Sequence, residues 1–244
     1  MVCTHQKSIK VNMGYFIFDP ITKNLSLDEI HHIKDVLRLK PGSNLKATDG
    51  KGNLYSLRIT HIKPFGLDVL NITTIPPANI YIRCIIATIK IPLLELAIQK
   101  LTEIGVDEII ITKTKFAQIE LEKIENKLSR WQTIINTACK QSERVYFPNI
   151  SIQKIENIEY DGYNNLNLIG DTQFSNNTQN IKSIVLDNIK NITLLIGPEG
   201  GFEKQEYVDL IDKYNYIPVI FTPYILRSET AAIVGSGILK NLSL

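Results

Sequence analysis

The chain has 244 residues, 44% of them hydrophobic and 21% charged, with a formal net charge of +2. That is enough apolar material for a core in one or two domains, and so balanced a charge neither announces a nucleic-acid binder nor excludes one. Three scattered cysteines, Cys3, Cys84 and Cys139, make neither a disulfide framework nor a zinc cluster, so a metal-free protein of a reducing cytoplasm is expected.

Residues 1–12 are polar, lack the apolar stretch of a secretory signal and read as a loose leader, with Met13 an alternative start. No apolar run is long enough to span a bilayer, which predicts a soluble protein. A strand pattern at 15–18 precedes a helix over 26–37, with Ser26 as N-cap, Glu29 at capping-box spacing, and Leu27, Ile30, Ile33 and Leu37 on one face. The adjacent His31 and His32 point to different helix faces and make a poor metal pair. Strands follow at 44–48, 54–62 and 67–73, punctuated by glycine- and proline-bearing turns. In the second, Tyr55, Leu57 and Ile59 alternate with polar residues, the period of a half-buried strand. Residues 13–76 therefore read as a small β-barrel or sandwich.

Pro76-Pro77 stiffens the chain and marks a boundary, after which the texture changes. Apolar strand patterns at 80–88, 107–112, 165–169, 192–196 and 218–221 alternate with helical spacing at 92–104, 127–141, 180–186, 203–213 and 228–239. The first of these helices places Leu93, Leu96, Ala97, Leu101 and Ile104 inward and ends on Gly105. A polar, Asn-rich loop occupies 173–179. The alternation predicts an α/β domain over 77–244, a parallel sheet with helices on both faces.

Two strand-ending loops stand out. The strand at 192–196 opens into Gly197-Pro198-Glu199-Gly200-Gly201-Phe202, where glycines allow backbone amides to approach a ligand. The spacing matches neither a dinucleotide nor a triphosphate loop. The strand at 218–221 leads into Thr222-Pro223-Tyr224-Ile225-Leu226-Arg227-Ser228-Glu229-Thr230-Ala231, with Ser228 as the expected N-cap of the last helix. By residue type alone, a tight turn and a capped helix explain these loops as well as a ligand site does.

The two loops closely resemble the C-terminal signatures of the SPOUT methyltransferases. Within them they are similar to the family that methylates N3 of a uridine in small-subunit ribosomal RNA, the RsmE family, with its GPEGG turn and ILRxETA segment. Residues 31–42, residues 97–106, Arg130-Trp131 and Gln141-Ser142 extend the likeness from about residue 14 to the end. Where that family usually has a glycine and an arginine before the ILR segment, this chain has Thr222 and Tyr224.

The resemblance implies a PUA-like RNA-binding barrel before a trefoil-knotted domain, a homodimer, and S-adenosylmethionine as cofactor for methylating 16S ribosomal RNA. Carried over by position, the cofactor contacts would be Gly170, Ile196, Gly197, Pro198, Glu199, Gly200, Gly201, Thr222, Ile225, Leu226, Thr230 and Ala231. Catalysis would fall to Arg227, for stabilising negative charge on the uracil oxygens, and to Glu229 or Glu199, for accepting the N3 proton or orienting Arg227. Candidates for RNA contact are Arg38, Lys40, Lys51, Lys90, Lys100 and Arg144. Two rivals share these motifs: a SPOUT enzyme acting on a ribose 2′-hydroxyl or another base, and a non-catalytic RNA-binding protein of ribosome assembly.

Overall fold

The structure is a computed structural model that describes residues 14–159, 164–172 and 178–244. The expected leader and most of the 173–179 loop lie outside the described residues. The chain builds two sheets. The first contains β1 (Phe16–Asp19), β2 (Asn24–Leu25), β3 (Asn44–Thr48), β4 (Asn53–Ile62) and β5 (Phe65–Thr74), in the order β2-β1-β3-β4-β5. β1 runs parallel to β3 and the other pairs are antiparallel. The alternation read in β4 is real: Tyr55, Leu57 and Ile59 are buried against Phe16, Phe18, Leu25 and Leu45 inside this half-barrel.

The helix expected over 26–37 is a short α1 (Leu27–His31) continued by a π-turn, His32–Val36. Ser26 Oγ caps it, accepting from the Glu29 amide at 3.3 Å. The reciprocal half of the capping box is missing because Glu29 has a better use. Its buried carboxylate accepts from the Ile17 amide at 3.0 Å and meets Lys140 Nζ at 3.3 Å. Leu27, expected inward, is 84% exposed, and the buried stripe narrows to Ile30 and Ile33.

The second sheet is all parallel. Its elements are β6 (Tyr81–Ala87), α2 (Ile91–Ile104), β7 (Glu108–Thr112), α3 (Leu128–Gln141), β8 (Asn149–Ile152), β9 (Asn165–Gly170), β10 (Gln179–Asn180), β11 (Asn191–Ile196), α4 (Lys204–Tyr214), β12 (Ile217–Ile220) and α5 (Ser228–Leu242). Strand order is β10-β12-β9-β11-β6-β7-β8, so β11 inserts between β6 and β9 and β12 passes to the far side of β9. Successive side chains serve opposite faces. Cys84, Ile86, Ile109, Ile111, Leu194 and Ile196 pack under α2, α3 and α5, whereas Ile85, Ile110, Leu195 and Ile169 meet Leu210 of α4 and Tyr216. This is an α/β parallel-sheet domain preceded by a small β half-barrel, as the alternation of elements predicted.

Two local expectations are corrected, and one strand had not been expected. The helix at 180–186 is a two-residue strand and a 3-10 turn, Ile181–Ser183. The Asn180 side chain accepts from the Lys182 amide at 3.0 Å, fixing a turn that competes with a helix. In α2 the buried stripe is Leu94, Ala97, Ile98 and Leu101, while Leu96 is exposed. Both possible stripes share Ala97 and Leu101, so spacing alone does not separate them. The edge strand β8 is four residues long and mixes Asn149 and Ser151 with two isoleucines, too weak a pattern to read.

The two sheets dock through backbone contact. An antiparallel bridge joins Lys51 to Tyr146, the Gly52 amide donates to the Val145 carbonyl at 2.9 Å, and the Phe147 amide donates to Gly50 at 2.9 Å. Gly52 lies so close to the Tyr146 ring that a Cβ there would stand 2.3 Å from it. The Tyr15 amide donates to the Lys140 carbonyl at the end of α3, and the Lys140 ammonium reaches Glu29. These tethers fix the half-barrel against the 140–147 segment.

Candidate functional site

β12, β9 and β11 are neighbours in the sheet, so the loops that leave their carboxyl ends meet. Between them lies a cavity of about 530 Å³, within the range of small-molecule and cofactor sites. Gly170 ends β9, Ile196 ends β11 with Gly197 just after it, and Thr222 follows β12; all four line the cavity. Pro198, Gly201, Ile225, Leu226 and Ala231 complete the part of the wall that the motifs foretold.

Each glycine has its own reason. Gly201 has φ +71°, a left-handed conformation that lets its amide donate back to the Pro198 carbonyl at 2.9 Å and close the turn. Gly197 lies under Phe202, whose ring would be 2.8 Å from an added Cβ. At Gly170 an added Cβ would stand 2.9 Å from Ile196 Cδ1 and 3.3 Å from the Phe221 ring. Behind the wall, Gly235 lets α5 approach Leu194 and Phe221 equally closely.

Not every expected contact reaches the cavity. Glu199 and Gly200 are exposed, and neither they nor Thr230 line it. Ser228 is the first helical residue, not the cap. The cap is Arg227, in extended conformation and without a side-chain bond, while Ser228 is buried and lines the cavity. Arg227 is exposed beside it. Glu229 is only 6% exposed, and its Oε2 has no hydrogen-bond partner among the described residues. No ion pair joins Arg227 to Glu229 or Glu199 among the described residues. Thr222 fastens its own loop: its hydroxyl donates to the Tyr224 carbonyl at 3.0 Å and accepts from the Tyr224 amide at 3.1 Å.

Sequence reasoning missed part of the wall. Asp171 and Thr172 follow β9, and Lys204, Tyr207 and Val208 form one stripe of α4 at i, i+3, i+4 spacing. That spacing is visible in the sequence, but nothing in it says which stripe meets a ligand. α4 is oriented by a complete capping box, with the Glu203 side chain accepting from the Glu206 amide and Glu206 from the Glu203 amide. Lys204 and Asp171 are the ionic groups of this lining.

The cationic candidates divide. Arg38, Lys40, Lys51 and Lys90 are exposed. Lys100 is paired with Glu103 at 2.8 Å. Arg144 is nearly buried, donating to the Thr102 carbonyl at 3.0 Å and lying 3.5 Å from Asp107, and burial lowers its pKa. Among the described residues no group of three His, Cys, Asp or Glu residues could hold a metal, and no helix is long and apolar enough to cross a membrane.

The cavity suits S-adenosylmethionine on its own terms. Apolar walls from Ile196, Phe221, Ile225 and Leu226 fit an adenine, glycine backbone offers amides, and Lys204 and Asp171 offer charges for a zwitterionic tail.

Comparison with known proteins agrees. The profile of the RNA methyltransferase domain family matches residues 76–240, and that of the RNA methyltransferase PUA domain matches residues 26–69. The chain is 28% identical over 248 residues to ribosomal RNA small subunit methyltransferase E of Buchnera aphidicola, covering 97% of this chain and 91% of that protein. It is 30% identical to the protein of that name from Rickettsia conorii, over 84% of this chain and 83% of the relative. A crystal structure of ribosomal RNA small subunit methyltransferase E from Neisseria gonorrhoeae bound to S-adenosylmethionine superposes with a TM-score of 0.80 at 26% identity, covering 94% and 98% of the two chains. With a cavity walled by the two signature loops and a family profile spanning most of its length, this chain belongs to the RNA methyltransferase family, among the ribosomal RNA small subunit methyltransferase E proteins.

Proposed function

We propose that this chain methylates N3 of a uridine in the 16S ribosomal RNA of the small subunit, with S-adenosylmethionine as donor. The observation that carries the reading is the cavity at the carboxyl ends of β9, β11 and β12, walled by Gly197, Gly201, Ile225 and Leu226. S-adenosylmethionine supplies a methyl group on a sulfonium. Gly170, Ile196, Gly197, Pro198, Gly201, Thr222, Ile225, Leu226 and Ala231 hold it, largely by backbone and apolar contact.

The chain's remaining work is to bind the base, orient it and take up one proton. Uracil N3 carries a weakly acidic proton, and its loss puts negative charge on the flanking oxygens. Arg227 stabilises that charge, a role its exposure at the start of α5 supports. Glu229 is buried with one unpartnered oxygen, an arrangement that costs stability unless a further partner arrives. It therefore serves as proton acceptor or as the group that orients Arg227. Glu199, exposed on the turn, takes the alternative place. Arg38, Lys40, Lys51 and Lys90 carry the backbone of the RNA, whereas Lys100 and Arg144 are engaged within the protein. Residues 13–76 act as the RNA-binding domain and 77–244 as the catalytic one, working as a homodimer in the cytoplasm. Nucleoside mass spectrometry of small-subunit rRNA from cells with and without this protein tests the reading: 3-methyluridine should vanish in its absence, and its persistence refutes the assignment.

A further inference from the structure

Methylation at N3 requires the base to be held beside the cofactor wall, with a surface for its flat face. Exposed Tyr224 belongs to the cavity lining itself; a second exposed ring lies outside the cavity, against the glycine turn. Phe116 lies in the loop that leaves β7, and it is 50% exposed. It stands directly on the glycine turn: a Cβ added to Gly200 would be 3.1 Å from Phe116 Cβ. The loop beneath it is tied down on several sides. The Lys115 amide donates to Glu206 Oε1 at 3.1 Å, the Ala117 amide donates to the Thr114 carbonyl at 3.1 Å, and the Thr88 hydroxyl donates to the Ile119 carbonyl at 2.7 Å. Glu206 belongs to the capping box of α4, so the anchor that orients the cavity wall also orients Phe116. A large aromatic ring held out in water by this many tethers, with exposed Lys115 next to it in the chain, is a stacking platform flanked by a phosphate-attracting charge.

We propose that Phe116 stacks on the target pyrimidine of the RNA and sets its position against the turn Gly197–Gly201. This rests on the reading of the chain as an rRNA uridine methyltransferase. Gly200 packs against the base of this side chain, where an added Cβ would crowd Phe116 Cβ at 3.1 Å.

The test compares wild type with Phe116→Ala, Phe116→Leu and Phe116→Tyr. Affinity for small-subunit rRNA is measured with S-adenosylhomocysteine present, KM and kcat for that RNA with S-adenosylmethionine, cofactor affinity by calorimetry, and mass by light scattering. Stacking on one base predicts that Phe116→Ala weakens RNA affinity and raises KM about five- to 150-fold. Phe116→Leu should behave like the alanine variant, Phe116→Tyr like wild type, and cofactor affinity should not change. The proposal is overturned if Phe116→Leu keeps wild-type RNA affinity, or if Phe116→Ala changes the mass of the particle, since the ring would then be covered by a second copy of the chain. A wild-type protein that binds the RNA but methylates no uridine defeats the functional reading; the affinity series still decides the stacking.

Discussion

Gly170 and Gly201 line the same cavity for different reasons, and alanine at each should fail differently. At Gly201, φ is +71° and nothing lies within 4 Å of an added Cβ. The cost is therefore conformational, about 1–2 kcal/mol for holding an L-residue in the left-handed region. It should appear as a lower urea midpoint, with the cavity's shape kept. Gly170 needs no special backbone, but its Cβ would stand 2.9 Å from Ile196 Cδ1 and 3.3–3.4 Å from the Phe221 ring. Ile196 Cδ1 is the end of a flexible side chain and can swing aside, so stability should change little. The space it swings into is the cavity, because Ile196 and Phe221 both line it. If an overpacking cost of about 1–3 kcal/mol falls on the bound state, cofactor affinity drops about five- to 150-fold. Calorimetric titration with S-adenosylmethionine, alongside urea denaturation of both variants, separates the two effects. Wild-type cofactor affinity in Gly170→Ala combined with a large loss of stability would refute the reasoning.

Lys204, the cation of the cavity wall, should recognise the carboxylate of the cofactor's tail. Lys204→Ala should then weaken S-adenosylmethionine about tenfold or more, as expected for a charge-assisted hydrogen bond, and leave 5′-methylthioadenosine, which has no carboxylate, unaffected in the same titration. Glu29→Ala removes a buried acceptor shared by the Ile17 amide and Lys140, so the urea midpoint should fall by the equivalent of about 1–3 kcal/mol. At alkaline pH, burial pushes the Cys84 and Cys139 thiols, and burial with Glu108 nearby pushes the Tyr81 phenol, up to about 12. These raised values favour the folded state fully below the ordinary pKa values of 9.0 and 10.0, and that stabilisation drains away as pH climbs towards 12. Urea midpoints should thus decline from about pH 9 upward, and Cys84→Ser with Tyr81→Phe should flatten the decline.

The β–α alternation after residue 77 and the period-two pattern of β4 were legible because burial imposes one rhythm on each element. Glu29 was not: three-residue spacing from Ser26 is necessary for a capping box, but a carboxylate follows its strongest partners, here an amide 12 residues back and an ammonium on α3. The helix expected at 180–186 failed although its isoleucines satisfy helical spacing, because one local hydrogen bond, donated by the Lys182 amide to the Asn180 side chain, sets a turn first. In the site, the glycine turn could be read from composition. The stripe Lys204, Tyr207, Val208 could be read only as a stripe, since its facing the cavity depends on β12 and β9 being neighbours. A trefoil knot leaves no trace in any hydrophobic period, and only the likeness of the motifs suggested one.

The two signature loops divide the work by the kind of atom they present. The turn at Gly197–Gly201 offers backbone on the cavity side and a side-chain vacancy at Gly200 on the other, so a small change in it should disturb cofactor and base together. The loop into α5 offers apolar side chains to the cavity, Ile225 and Leu226, then charge just beyond it, Arg227 and Glu229. Thr222 and Tyr224, where the family's glycine and arginine would stand, do not break this arrangement: the threonine hydroxyl ties the loop through two bonds to Tyr224. What the chain lacks there, beside the family's pattern, is a positive charge. Lys204 does not replace it, since it faces the cavity, whereas Lys115 lies beside the exposed ring on the outer face of the turn. Positive charge thus stands at both loops, Arg227 at the start of α5 and Lys115 next to the residue proposed to hold the base.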